Sequence, residues 1–527
     1  MLNKFGVKNF RSFVEESSID LKPITVFVGK NSSGKSSMLR TFPLFRQSVE
    51  ENKTGPILWY GNYVDFGDFS DVITKNTTSD TIEFHFQLDI NEGYTERSRY
   101  YRYRISSRER IKPDIRLVVS SKNKKTRTRE VHVKFNDVTY IISIDDSDNA
   151  KLIIKCGEIL IEKDDLLAKN LGQFIPTIIS KKSEETTQKV YFSPAGYVVR
   201  KSIKESDILE KAMIDSILKN LSPYFHPKTL ESKILDNIRR IGLVNLTDLP
   251  ELLRYVFRDQ RQFCKNLKDK ENEIVGSIYP YLIGLNINFI NEVLNNALNE
   301  IYSSVKYIYP LRATSERFYR FQDLQINEID HKGSNLAMLL NSLKPAEKQK
   351  FEKWTFENFS FFVRVKPDGA HYAVTIVTKE DNNENEINIS DMGFGYSQVV
   401  PIITAIWLEI ERKDNRHNKQ IFFVIEQPEL HLHPAYQRDL AIVFAKVVSK
   451  SKDENLNLKI IFETHSQSMI EALGECIENE KININNDDIS VLIFNKEKNN
   501  STKIIKSHFD EYGTLINWPI GFFSGEY

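Results

Sequence analysis

One stretch of this chain leaves few folds open: Gly29-Lys-Asn-Ser-Ser-Gly34-Lys35-Ser36 fits the G-x-x-x-x-G-K-[ST] phosphate-binding loop in full. Directly before it lies Ile24-Thr-Val-Phe-Val28, a β-branched run of buried-strand type, and Ser36 to Gln47 reads as a helix with a kink at Pro43. A glycine loop between a buried strand and a helix lets backbone N–H groups curl around phosphates, and the helix dipole adds positive potential there. The expected fold class is therefore α/β, with a P-loop at a strand end. Gly29, Asn31, Ser33, Gly34 and Ser37 belong to the cradle, Lys35 is expected to reach the β and γ phosphates, and Ser36 to ligate Mg2+. ATP with Mg2+ is the cofactor this pattern calls for.

A second buried run, Ile421-Phe-Phe-Val-Ile425, delivers Glu426 to its C-terminal end, where a Walker B acid is expected to meet the Mg2+ shell. Further on, Lys459-Ile-Ile-Phe-Glu463 is another short apolar strand, and it ends in Thr464-His465-Ser466, placing His465 as a γ-phosphate sensor. His431 and His433 have an i,i+2 spacing common in metal sites, but no third ligand lies nearby in sequence. Arg312 and Arg317 read as groups of a solvated loop.

At 527 residues the chain exceeds what one core serves, so several structural units are expected. With 40% apolar and 27% charged residues it falls in the ordinary globular range. The most apolar run, Val399 to Leu408, is about half of a bilayer span and contains Pro401; Lys4, Lys8 and Arg11 leave no room for a signal-peptide core. Cys156, Cys264 and Cys476 suggest neither a disulfide framework nor a Cys-rich zinc site, and the expected compartment is reducing cytoplasm.

Net charge is zero but unevenly spread: Arg97 to Lys134 carries fourteen Lys or Arg against Glu109, Asp114 and Glu130. Tyr100, Tyr101 and Tyr103 interleave with these arginines, and alternation over 101–105 puts Arg102 and Arg104 on one face, a mixture suited to nucleic acid or an acidic partner. Alternating patterns at Thr81 to Leu88, Arg97 to Ile105 and Val131 to Phe135 make this region β-rich. From Ser206 to Tyr307 the pattern turns helical, broken by Pro223, Pro227, Pro250 and Pro280, which excludes one long coiled coil. Strands return after Phe361, a helix is expected from Gln398 to Glu411, and the Asn-rich stretches 382–388 and 483–486 read as loops.

Taken with its order of motifs, the chain resembles the ATP-binding-cassette ATPases of the SMC and overcoming-lysogeny-defect group. The resemblance is carried by Asn9-Phe10-Arg11-Ser12, by the P-loop, by Ser390-Asp-Met-Gly393-Phe-Gly395-Tyr-Ser397-Gln398 at the signature slot, and by Glu426-Gln-Pro-Glu429-Leu-His431-Leu-His433-Pro434. It covers roughly residues 1 to 90 and 370 to 527, and implies four segments: an N-terminal head lobe (1–95), a basic β-rich insertion (96–200), a helical insertion (201–345) and a C-terminal head lobe (346–527). It implies head dimers in which the signature of one chain, through Gly395 and Ser397 or through Ser390, meets the ATP of the other, with Asn9, Arg11 and Ser12 also near nucleotide.

In this group the residue after the Walker B acid is usually a glutamate that orients the attacking water. Here it is Gln427, an amide that cannot accept the proton, so hydrolysis is expected to be slow unless Glu429, just past Pro428, substitutes. Over the whole chain, including the Gly513 to Phe523 tail, the sequence is similar to the ATPase subunits of Septu-type anti-phage defence, which also occur with retrons. That likeness implies an HNH endonuclease partner and, where a retron is present, a reverse transcriptase with its msDNA. No nuclease cluster of its own is apparent, and no membrane partner is implied. The alternative is a stand-alone DNA-repair or chromosome-maintenance ATPase.

Overall fold

The apolar run that precedes the P-loop becomes a strand, Ile24–Gly29, buried at every position. It sits inside a sheet ordered Val305–Ile308, Gln420–Glu426, Asn457–Glu463, Ile24–Gly29, Ile489–Lys496, Thr502–Phe509, Leu515–Ile516. The pairings from Val305–Ile308 through Ile489–Lys496 are parallel, and the last two strands add antiparallel. Parallel strands covered on both faces must be apolar throughout, which is why Gln420–Glu426 is buried along its whole length. Helix Pro434–Asp453 packs Phe444 on Phe462 of this sheet, ring centroids 5.3 Å apart.

This computed structural model describes all residues except 76, 91–109, 136–137, 171, 182–186, 193–197, 204–207, 311–315, 321–327, 370, 381–382, 412–419, 480, 499 and 520–527. The chain forms two compact units. The sheet above lies in the unit made of Arg11–Gln47, Tyr60–Asp65 and Ile301–Tyr527; the other comprises Met1–Phe10, Ser48–Trp59 and Phe66–Glu300.

In that other unit an antiparallel sheet runs in the order Thr177–Ser180, Ile159–Lys169, Asn149–Cys156, Val138–Ile144, Lys125–Phe135, Asp114–Lys122, Thr81–Leu88, Leu2–Lys8. Helix Ile287–Ser303 aligns Asn288, Asn291 and Asn295 along the segment next to this sheet. Asn288 and Asn295 each exchange two hydrogen bonds with the backbone of Ile178 and Ile175, at 2.7 to 3.0 Å. Asn291 donates to Pro176 O at 3.1 Å and accepts from the Tyr140 hydroxyl at 2.8 Å. Side-chain amides thus satisfy backbone groups that a sheet ladder leaves open.

Several local expectations change in the structure. The helix after the P-loop is divided at Arg40 into Lys35–Leu39 and Thr41–Glu50. Pro43 has no N–H for the carbonyl of Leu39, so the break falls one turn before the proline. Pro280 lies inside helix Glu271–Leu285, buried, instead of ending a helix. The Asn-rich stretch expected as a loop pairs as strand Asn383–Asn388 against His371–Glu380. The helix expected from Gln398 starts at Phe394. The strand expected over Arg97 to Ile105 lies outside the described residues. Among the described residues no helix is long and apolar enough to cross a membrane.

Candidate nucleotide site

The P-loop glycines are required by close approach. Gly29 has φ +150°, and a Cβ there would lie 2.4 Å from the Phe494 carbonyl oxygen. Gly34, at φ +98°, would place a Cβ 2.9 Å from both Ser12 Oγ and Thr502 Oγ1. Thr502 braces the loop: its N–H donates to Ser12 O at 2.8 Å, and its hydroxyl lies 2.7 Å from Ser12 Oγ and 2.9 Å from Ser33 O. Lys35 is buried and donates to Gly29 O at 2.8 Å and Lys30 O at 2.9 Å. Burial lowers its pKa, opposed by the charges of Glu463 and Glu429. Asn31 is exposed, Ser36 and Ser37 are half-buried, and the buried Ser33 hydroxyl has no hydrogen-bond partner among the described residues.

Glu426 and Glu463 end neighbouring parallel strands as register partners. Their surroundings differ sharply. Both Glu463 oxygens face the P-loop serine, with Ser36 Oγ 2.8 and 3.1 Å away. Burial, then the Glu426 charge, pushes the Glu463 carboxyl up to about 7, against the Ser36 hydrogen bond and the charges of Lys35 and Arg40. Glu426, expected in the Mg2+ shell, is 1% exposed and bonded to Arg40, whose Nε and Nη2 donate to its two oxygens at 2.7 Å each. The Tyr307 hydroxyl adds a third bond at 2.5 Å. The Glu426 hydrogen bond raises the Arg40 pKa; burial, then the Glu426 charge, raises that of Tyr307. Strand order sets these surroundings: Asn457–Glu463 lies next to the P-loop strand, and Gln420–Glu426 lies one strand further away.

Gln427 is half-buried with left-handed backbone, φ 42°, and its N–H donates to Glu463 O at 3.1 Å. Glu429 Oε1 accepts the His465 N–H at 2.8 Å, so this carboxylate fastens the segment of the expected sensor. Desolvation, then the Lys35 charge, lowers the His465 pKa. Ser466 donates to Gln437 Oε1 at 2.6 Å, and Gln437 Nε2 donates to Leu432 O at 2.8 Å, tying the two loops together. His433 Nδ1 accepts from Ala435 N at 3.3 Å and caps helix Pro434–Asp453, while the His431 ring meets Phe394 edge-on at 4.8 Å. Among the described residues no group of three His, Cys, Asp or Glu is placed to hold a metal.

Other expected contacts take different places. The Asn9 side chain donates to Thr81 O and accepts from Thr77 at 3.1 Å, both within its own unit. Ser12 is a brace of the P-loop, and Arg11 is exposed at φ 53°. Ser397 is 3% exposed and lies inside the helix, which begins at Phe394. Ser390 is exposed, with its hydroxyl on Asn388 Oδ1 at 2.9 Å, and Gly395 backs onto the His431 carbonyl.

Of the basic window, 97–109 lies outside the described residues, as does Arg312. Within the rest, Arg110 pairs with Asp89, Arg116 with Glu83, Lys122 and Arg129 with Asp146, and Arg127 with Asp148. Lys124 and Lys125 are exposed at a strand turn, and Arg317 pairs with Asp391 at 3.2 Å.

Three functional groups escaped the sequence reading. Glu463 carried a signal, being an acid that ends an apolar strand just as Glu426 does. Arg40 and Tyr307 carried none, because their role depends on the helix break and the sheet order. The glycine cradle with its unpartnered Ser33 hydroxyl, the Lys35 ammonium, and an oxygen donor set from Ser36 and Glu463 fit a magnesium nucleotide.

Residues 1–470 match the family model described as AAA ATPase domain, and residues 484–524 match one described as a protein of unknown function (DUF3696). No curated protein matches the chain. Among solved structures, the SMC head domain from Thermotoga maritima aligns with TM-score 0.35 at 10% identity, covering 96% of this chain and 98% of that one. An SmcHead bound to the C-winged helix domain of ScpA aligns with TM-score 0.34 at 10% identity, covering 96% and 97%. The recombination mediator protein RecF, in a structure with ATPγS, aligns with TM-score 0.28 at 10% identity, covering 96% and 98%. Scores this low carry no functional argument.

Proposed function

From the premise that the chain belongs to the AAA ATPase domain family, we propose that it is a slowly hydrolysing ATPase subunit whose heads pair around ATP and control a partner nuclease. Its fold is an ABC-type P-loop ATPase head with β-rich and helical additions. The observation that carries the reading is the convergence of Lys35, Ser36, Glu463 and the His465 segment at the ends of two adjacent parallel strands.

When bound, Mg2+ and ATP supply the transferable phosphoryl group and the cation that screens it. Lys35, which donates to Gly29 O and Lys30 O, would hold the phosphates together with the P-loop backbone, and His465 would stand on the γ-phosphate side. Gln427 orients water without accepting its proton, and Glu429 has one oxygen committed to the His465 N–H, which favours binding that outlasts turnover. In a closed head pair, the exposed Ser390 is the signature serine suited to meet the partner's nucleotide, in place of the buried Ser397.

The finer reading is a cytoplasmic anti-phage defence complex of the Septu type, with an HNH endonuclease under control and nucleic acid or ribonucleoprotein as ligand, including reverse transcriptase and msDNA where a retron accompanies it. It is supported by the Glu426 to Pro434 run and the tail from Gly513. Lys124 and Lys125 are the exposed cations through which its charge-driven contacts would run.

Turnover assays with calorimetry test the proposal. Lys35→Ala is expected to weaken ATP binding roughly tenfold or more. Gln427→Glu is expected to raise turnover about 10²-fold with binding kept. Brisk wild-type hydrolysis left unchanged by Gln427→Glu would falsify the slow-hydrolysis reading, and unchanged ATP binding in Lys35→Ala would remove the P-loop assignment. Co-purification from the host, with identification of the bound proteins and nucleic acid, tests the defence partner; recovery of neither a nuclease nor nucleic acid speaks against it.

A further inference from the structure

We propose that the divalent cation of this site is held through Ser36 and Glu463, and that Glu426, at the Walker B position, is a buried anchor for Arg40 and Tyr307. The inference rests on the nucleotide-binding reading above and names the side chains that serve its cation.

The two carboxylates are neighbours in register, so either would satisfy a sequence rule that asks for an acid at a strand end near the P-loop. Their bonding separates them. Glu426 accepts two hydrogen bonds from the Arg40 guanidinium and one from the Tyr307 phenol, and is 1% exposed. Arg40 neutralises it, and its own guanidinium also lies over the Tyr309 ring at 5.7 Å. Turning Glu426 toward a cation would take the acceptor from the Arg40 guanidinium and leave the buried Tyr307 hydroxyl without it.

Glu463 has the opposite surroundings. Its oxygens lie within 3.1 Å of the Ser36 hydroxyl, the P-loop oxygen expected to ligate the cation. A hydroxyl and a carboxylate at this spacing offer the hard oxygen donors that Mg2+ prefers, and the remaining positions suit phosphate oxygens and water. The strand of Glu463 pairs directly with the P-loop strand, Glu463 opposite Phe27, whereas the strand of Glu426 lies about 4.8 Å further out. Glu426 then has a structural role. Through Arg40 it ties the break between Lys35–Leu39 and Thr41–Glu50 to the end of its own strand.

The test uses the purified full-length chain and a fluorescent ATP analogue, titrated in EDTA and in Mg2+, with Mn2+ spin resonance as a second readout of the cation. Wild type is expected to bind nucleotide roughly tenfold or more tighter with Mg2+ than without. Glu463→Gln should lose most of that gain, and its bound Mn2+ signal, while metal-free affinity stays within about threefold. Glu426→Gln should keep the metal gain and lower the melting temperature. If Glu426→Gln does not fold, the paired replacement Arg40→Met with Glu426→Met substitutes for it and should likewise keep the gain. Retention of the metal gain in Glu463→Gln, or its loss in Glu426→Gln or the paired variant, overturns the assignment. A wild type that binds no nucleotide with or without Mg2+ is a different result, and overturns the nucleotide reading itself.

Discussion

The two large sheets of this protein use similar β-branched residues and place their polar groups in opposite ways. In the parallel sheet, Gln420–Glu426 is buried at every position, so charge collects where the strands end, at Glu426 and Glu463. In the antiparallel sheet, Val138–Ile144 alternates buried and half-buried residues, and charge spreads along strands whose outer positions pair across the ladder, as Lys151 does with Glu162 at 2.9 Å. A sheet with both faces covered concentrates chemistry at its edge of strand ends. One with an open face neutralises its charges locally.

The strongest way to break this contrast is to open the covered sheet. Phe422→Ala removes a fully buried ring that packs on Phe42 at a centroid distance of 5.7 Å. It is expected to cost about 3 to 5 kcal/mol, read from denaturant melts of the full chain. A cost below about 1 kcal/mol would mean that the sheet is not packed on both faces as described.

A middle-sized effect sharpens the same point, because the parallel sheet also buries one cation along its length. Lys459 donates to Leu21 O at 2.6 Å, and burial, then the charge of Lys22, lowers its pKa from 10.5 to about 7. The folded state therefore binds the proton more weakly than the unfolded state. Stability lost to this lysine is fully lost below about pH 7 and is regained as pH rises toward 10.5. Lys459→Met should stabilise the protein by about 2 kcal/mol at pH 7, the relief of the buried charge less the bond to Leu21 O, and the gain should shrink at higher pH. Melting at a series of pH values checks it, and a gain that grows with pH refutes the sign.

The smallest effect belongs to the open face. Arg129→Ala is expected to change stability by less than about 1 kcal/mol, with most of that change disappearing in high salt, because its pair with Asp146 at 3.4 Å is exposed. A loss as large as that of Phe422→Ala would show that the outer face of this sheet is covered.

Much of the nucleotide site was readable from local sequence. The P-loop pattern, the buried strand before it and the strands that end at Glu426 and Glu463 are encoded by residues adjacent in the chain, where backbone propensity and steric rules act directly. The same is true of the alternation at Thr81–Leu88, which the structure matches as a strand with alternate positions buried.

What the chain could not declare locally is who stands beside whom. Glu426 and Glu463 look alike as strand-end acids, and only the strand order decides that Glu463 meets Ser36 while Glu426 meets Arg40 and Tyr307. Helix Phe394–Glu411 begins ahead of the apolar run that anchors it in the core from Val399 onward, and so includes the buried Ser397. The asparagines of helix Ile287–Ser303 are matched to backbone more than a hundred residues earlier in the chain. Sequence determines the conformations available to neighbouring residues; pairing between strands depends on contacts between distant ones, and a side chain's hydrogen-bond partner and dielectric surroundings exist only once that pairing is made.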